Sequence, residues 1–285
     1  MNQLHQLATG IVKRLTDKGF QALFAGGCVR DQIMGEEPKD IDIATDATPE
    51  QVQSLFPRTV PVGVQFGVIL VIEEGISFQV ATFRSDGKYV DGRHPEEVKY
   101  SKTPQEDASR RDFTMNGLYF DPLDQKVLDF VGGREDIQKK IVRTIGDPVT
   151  RFEEDKLRLL RAVRFTSTLD FQLELHAHEA LRQLSDKITE VSAERIREEL
   201  VKLLSGGHAD RGLTLLDETG LLGKILPEVS RMKGVQQPPQ FHPEGDVFVH
   251  TRMMMGMLDQ LPERPAVLAV STLLHDVGNP PTFRE

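Results

Sequence analysis

Apolar positions near the start of the chain recur at helical spacing. Leu4, Leu7, Ala8, Ile11, Val12 and Leu15 fall on one stripe, which predicts an amphipathic helix ending near Gly19. The period then switches. Residues 22–25 form a short apolar run into Gly26-Gly27, residues 28–35 return to a helix-like pattern, and residues 39–44 read as a second strand. The stretch FGVILVIEEGISFQVATFR sets two apolar-rich runs around Glu73-Glu74-Gly75 and predicts a hairpin. Residues 85–102 are polar and carry Gly87, Gly92 and Pro95, the composition of a long loop. A strand over residues 117–120 and a turn at Asp121-Pro122 follow, giving a small mixed sheet with flanking helices to about residue 140.

The texture changes after Gly146-Asp147-Pro148. EEDKLRLLRAVRF, HEALRQLSDKI, AERIREELVKLLSGG and RGLTLLDETGLL are helical in pattern, and strand signals nearly vanish up to Ile225. GVQQPPQFHPEGD reads as a Pro/Gly-rich linker, and a further helix-rich segment begins near Val247. The fold class is therefore α+β: a head over residues 1–140, an all-helical neck and body over 141–232, and a last helical segment over 233–285.

Composition narrows the class. At 285 residues, with 39% hydrophobic and 28% charged positions, the chain has the make-up of a soluble globular protein with a sizeable core. No apolar run approaches a membrane span, and the amphipathic first helix is not a signal peptide. One cysteine excludes an intramolecular disulfide and fits a reducing cytoplasm. The net charge of −9 argues against sequence-blind coating of nucleic acid, while leaving room for a local basic groove.

The candidate chemistry begins at FAGGCVRDQIMGEEPKDIDIAT. On a strand, Asp40 and Asp42 project to the same face. Side-by-side carboxylates repel unless a cation separates them, and Mg²⁺ prefers oxygen ligands together with substrate phosphates. An isolated Asp-x-Asp is more often a solvated strand end. Gly26-Gly27 shifts the balance, because it lets backbone N–H groups approach a phosphate beside a helix N-terminus, with Arg30 and Asp31 in the first turn. Cys28 reads as a small packed residue.

GGCVRD with DIDIAT resembles the nucleotidyltransferase signature of the class II CCA-adding enzyme and poly(A) polymerase family, within the DNA polymerase β superfamily. RRDFTMN, residues 110–116, resembles the motif that contacts the ribose and phosphates of the incoming nucleotide; DFVGGREDIQKKIVR resembles the motif linking head to neck. RFEEDKLRLLRAVRF is similar to the nucleobase-reading helix, with Glu154, Asp155 and Arg158 on its E-D-x-x-R pattern. The four motifs occur in order, and the resemblance covers about residues 20–230.

It implies a polymerase β-like head that transfers nucleotides from CTP and ATP to the 3′ end of tRNA without a template and releases pyrophosphate. Two Mg²⁺ ions would be held by Asp40 and Asp42. Nucleotide contacts would come from Gly26, Gly27, Arg30, Arg110, Arg111, Asp112, Asn116, Glu154, Asp155 and Arg158. Spacing supports base reading: Asp155 and Arg158 share a helix face, an aspartate accepts from N4 of cytosine or N6 of adenine, and an arginine donates to ring acceptors. The plainer alternatives are a surface Glu154–Arg158 pair and an Asp107–Arg111 pair, each at i,i+4. Arg161 and Arg164 continue the spacing-3 stripe and serve either phosphate or structure. Arg195, Arg197, Lys202 and Arg211 are candidate backbone contacts for the tRNA acceptor end, against an equal case for solvated helix faces. In the family a flexible loop between the first two motifs assists the final A. Here the loop is full length, with Arg84, Asp86 and Arg93 as candidate contacts, which favours CCA or A addition over CC addition. Poly(A) polymerase is the nearest competitor, and an RNA-binding module with a weak head is the reading from another class. No membrane or protein partner is implied. Gln79 stands where the family often carries a glutamate.

FHPEGDVFVHT with LLHDVGNPPT resembles the start of an HD-type metal-dependent phosphohydrolase domain. His250, His275 and Asp276 are reasonable ligands. The downstream aspartate of that family is absent and Asn279 stands where lysine is usual, so the segment reads as a fragment with an incomplete site, in which the histidines serve structure at least as well as metal.

Overall fold

The computed structural model describes residues 2–86, 98–237, 240 and 245–282. The chain divides into two compact units, one running through Lys139 together with Arg143–Asp147, the other comprising Lys140–Val142 and the chain from Pro148 onward.

The first unit opens with α1 (Gln3–Thr16), capped by the Asn2 side chain, which accepts from the His5 amide, and burying Ala8, Ile11, Val12 and Leu15 on its apolar stripe. Among the described residues nine strands follow: β1 (Ala22–Ala25), β2 (Asp42–Thr45), β3 (Thr59–Gly63), β4 (Val68–Glu73), β5 (Ile76–Thr82), β6 (Arg84–Asp86), β7 (Val98–Tyr100), β8 (Leu118–Asp121) and β9 (Lys126–Asp129). Between them lie α2 (Gly27–Met34), α3 (Pro49–Leu55), α4 (Pro104–Ser109) and, after β9, α5 (Gly133–Gln138). Seven strands form one mixed sheet in the order β3-β4-β5-β2-β1-β8-β9, with β2 and β5 parallel and the other pairs antiparallel. β6 and β7 form a separate ribbon. Leu23 and Ala25 of β1 make a buried cluster with Ala44, Phe83, Ala108 and Tyr119, against which Leu128 and Val131 pack.

The stretch DFVGGRED is shaped by local chemistry. The Asp129 carboxylate accepts the amides of Val131, Gly132, Gly133 and Arg134 at 2.8–3.1 Å, capping α5. Gly133 lies against the Thr114 carbonyl so closely that any side chain would collide with it.

The second unit contains α6 (Pro148–Glu154), α7 (Leu157–Thr168), α8 (Leu175–Leu184), α9 (Ala193–Ser205), α10 (Ala209–Glu218), α11 (Leu221–Ile225), α12 (Pro227–Ser230), α13 (Val247–Leu258), α14 (Ala266–Leu274) and α15 (Asn279–Thr282). It also holds a short parallel pair, β10 (Ile141–Val142) with β11 (Gln172–Leu173), which the helical pattern of the sequence conceals. Leucines on α7, α9 and α10 fill its interior.

Two expected elements differ. β2 begins at Asp42, not at residue 39, because its pairing starts only where Ala25 lies opposite Asp42 and Ile43 opposite Val80. The single helix expected over residues 151–165 is two, α6 and α7, broken at Asp155-Lys156.

Candidate functional site

The site in the first unit is built on the turn between β1 and α2. Gly26 has φ 80° and ψ −132°, a conformation open to glycine almost alone. A Cβ there would lie 2.9 Å from Nη1 of Arg111. The Gly26 amide is itself spent, donating to the Leu118 carbonyl at 3.0 Å.

Residues far apart in the sequence meet at this turn. Arg30 donates through Nη1 to Oδ1 of Asn116 at 2.9 Å, and Asn116 donates through Nδ2 to Oδ1 of Asp112 at 3.1 Å. Arg30 also pairs with Asp31 at 2.6 Å. Arg111 donates to the Asn116 carbonyl and, through its other edge, to Asp107. Arg110 binds the same carboxylate at 2.6 Å. The i,i+4 pair of Asp107 with Arg111 is therefore present, and Asp107 and Tyr119 join the site although neither is among the sequence candidates. Tyr119 carries no signal in the sequence beyond its place on a strand.

Asp42 is half-buried and Asp40, just before the strand, is exposed. Strand alternation therefore does not govern their relation, but charge does. Burial and then the Asp40 carboxylate push Asp42 up to about 6, against the opposing pull of Arg111. Hard oxygen donors whose mutual repulsion is relieved by a cation suit Mg²⁺, and no ion pair among the described residues occupies either carboxylate. Gln79 is exposed on β5, one residue before Val80, which pairs with Ile43. Cys28 is buried, donates to the Ala25 carbonyl at 3.4 Å, and has its thiol pushed up to about 12 by burial. It is the small packed residue expected from the sequence.

The base-reading candidates lie in the second unit. Arg158 is buried and binds Glu154 at 2.8 Å and the Arg151 carbonyl at 3.0 Å; Arg151 also binds Glu154. The i,i+4 alternative to base reading is thus formed. Asp155 is not on a shared helix face with Arg158. It sits in the break, its carboxylate accepts the Leu157 amide at 3.1 Å, and Arg195 of α9 grips it at 3.0 Å. A carboxylate that folds back on the amide two residues ahead offers the backbone an alternative to continuing α6, and the helix breaks there.

The cation stripe is likewise partnered. Glu199, buried on α9, receives Arg164 at 2.5 Å, Arg161 at 3.6 Å and Lys202 at 3.4 Å. Arg211 pairs with Asp170 and the Phe171 carbonyl, and Arg197 is exposed on α9. Arg84 donates through its amide to Asp107 and through Nη1 to the Phe66 carbonyl. The side chain of Asp86 and the whole of Arg93 lie outside the described residues. In the last segment, ligand atoms of His250, His275 and Asp276 all lie within 4.8 Å of one another.

Comparison with known proteins adds the following. Residues 22–143 match the family described as poly A polymerase head domain, and residues 170–233 match the probable RNA and SrmB-binding site of polymerase A. The chain is 43% identical over 225 residues to the CCA-adding enzyme of Bacillus pumilus, covering 79% of this chain and 56% of the relative. It is 44% identical over 216 residues to that of Geobacillus thermodenitrificans, covering 76% and 53%. The chain thus spans just over half the length of these curated relatives. Its structure is similar to that of the Bacillus stearothermophilus CCA-adding enzyme in complex with CTP, with a TM-score of 0.75 and 32% identity over 98% of this chain and 79% of the other. A tRNA nucleotidyltransferase complexed with a primer tRNA and an ATP analog shares the fold, with a TM-score of 0.71 at 23% identity.

Proposed function

The chain belongs to the class II CCA-adding enzyme and poly(A) polymerase family, and from that premise we propose that it adds nucleotides from CTP and ATP to the 3′ end of tRNA. The 3′ oxygen of the RNA bonds to the α-phosphorus, the bond to the β-phosphate bridge breaks, and pyrophosphate leaves with the electron pair. The hydroxyl proton passes to solvent. The observation that carries this reading is the convergence of Arg30, Asp112 and Asn116 on the glycine turn that follows Ala25, the cross-strand partner of Asp42.

In this reading Asp40 and Asp42 hold Mg²⁺, which lowers the charge barrier to attack when bound. The chain's own groups do the rest. Gly26 and Gly27 admit the phosphates close to the backbone, Arg30 and Arg110 balance their charge, and Asp112 with Asn116 orients the sugar. Glu154, Asp155 and Arg158 read the base in the arm, and Arg195, Arg197, Lys202 and Arg211 contact the RNA backbone, which suits duplex RNA whose deep groove is closed to side chains. Lys202 and Arg211 must exchange carboxylate partners to do so, whereas Arg195 binds Asp155 through Nη2 and makes its contact with that clamp intact. Arg161 and Arg164, joined to Glu199, serve structure. Among the described residues no helix is long and apolar enough to cross a membrane, and the cytoplasm, where tRNA is processed, is the compartment we propose.

The test is a panel: tRNA lacking CCA, tRNA ending in CC, and an unrelated RNA, each with CTP, ATP or both, read by product length on a denaturing gel. Three or fewer additions confined to tRNA are expected. Long tails on the unrelated RNA make the chain a poly(A) polymerase, stalling after CC makes it a CC-adding enzyme, and binding without extension makes it an RNA-binding module.

A further inference from the structure

One buried group of the first unit has no part in the reading above. Asp107 is 1% exposed, yet its carboxylate takes donors from four residues. Oδ1 accepts Nε and Nη2 of Arg110 at 2.9 and 2.6 Å and the Arg84 amide at 3.2 Å. Oδ2 accepts Nε and Nη2 of Arg111 at 3.3 and 3.2 Å and the Tyr119 hydroxyl at 2.6 Å. Burial alone would raise this carboxyl. The two guanidinium groups and the hydroxyl overcome it and hold the group down at about 2, so it is ionised throughout the working range.

What the carboxylate fixes is the orientation of Arg111. One edge of that guanidinium is locked on Asp107 and its plane lies over the Tyr119 ring, 5.2 Å from the centroid. This leaves Nη1 to point at the turn, where it meets the Asn116 carbonyl at 3.3 Å and fills the space a Gly26 side chain would take. Asn116 in turn is the partner of both Arg30 and Asp112. The chain of contacts therefore runs from Asp107 through Arg111 to the glycine turn and to the residues that face the nucleotide.

We propose that Asp107 is a positioning residue for nucleotidyl transfer, which holds the Arg111 guanidinium under Gly26 and so keeps the β1–α2 turn in the geometry that receives the nucleotide. The proposal rests on the transferase reading for its kinetic consequence but not for its structural one. A buried bidentate partner of this kind is not replaced by an amide, because the Asp107→Asn side chain offers one acceptor oxygen where two served. Nor can lysine reproduce the fork of Arg111.

The experiment compares wild type, Asp107→Asn, Arg111→Lys and the double variant. Hydrogen exchange of peptides spanning residues 24–30 is read by mass spectrometry, and kcat and KM for CTP are measured on tRNA lacking CCA. The expected result is exchange faster by about fivefold or more in the turn with α1 unchanged, and kcat/KM lower by about 10- to 100-fold per folded molecule, as small misplacements cost. The double variant should be no worse than the worse single one, because both break the same link. A variant that only melts earlier, with kcat/KM per folded molecule and exchange at the turn unchanged, overturns the proposal, as do losses that multiply in the double variant. If Asp107→Asn does not fold, Tyr119→Phe, which removes one donor and keeps the carboxylate, carries the same comparison; an unchanged turn there counts against it. Loosened exchange in a protein whose wild type transfers no nucleotide keeps the positioning and sinks the transferase reading instead.

Discussion

At the scale of single residues, Asp42 sets function against stability. Its folded carboxyl titrates at about 6, above the ordinary 3.8, so the folded state keeps its proton to higher pH than the unfolded chain. Ionisation therefore costs stability as pH rises from about 4 to about 6, and the full cost is present at neutral pH. Asp42→Asn should abolish transfer and yet stabilise the cation-free protein by about 1–3 kcal/mol at pH 7.5, with little gain at pH 4. Thermal denaturation in chelator at the two pH values checks this; a lower melting temperature for the variant at pH 7.5 would refute the electrostatic account. Gly26→Ala acts in the opposite sense. It places a methyl where Arg111 already sits, on a backbone that alanine resists. A loss of about 2–4 kcal/mol and of most activity is expected, measured by denaturant titration and extension assay.

At the scale of elements, the junction of α6 and α7 is held from α9. Arg195 clamps Asp155, and Glu199 gathers Arg161 and Arg164. Arg195→Met should free the aspartate and relax the choice of base, raising UTP and GTP incorporation relative to CTP and ATP by about tenfold, a shift of roughly 1.4 kcal/mol in discrimination. Competitive incorporation measures that ratio. Glu199→Gln should cost about 3–5 kcal/mol, because it leaves the half-buried Arg164 charged and poorly matched beside a buried position. The same junction marks where the sequence stops being legible. The glycine turn, the hairpin around Glu74-Gly75 and the stripe of α1 are local patterns and were readable from neighbouring residues. The arginine that holds Asp155 in the break lies 40 residues away, and the true start of β2 depends on Ala25 and Val80. In the sequence Asp107 reads only as half of an i,i+4 pair with Arg111, since nothing nearby announces that Tyr119 and Arg84 share it.

At the scale of the whole molecule, a chain with net charge −9 must bind RNA through a local field if it binds at all. The KM for tRNA should therefore rise by about tenfold or more between 50 and 200 mM salt, while that for CTP changes less. A salt-independent tRNA KM would show that the arm does not track the backbone. The other whole-chain property is that Cys28 is the single thiol, and it is both buried and strongly disinclined to ionise. Reactivity follows the thiolate, so an aromatic disulfide reagent should find essentially no titratable group in the native protein and one per chain after denaturation. The wild-type chain is thus already a blank background for spectroscopy: a cysteine introduced on an exposed helix becomes the sole handle for a dye or spin label, with no native residue to remove first.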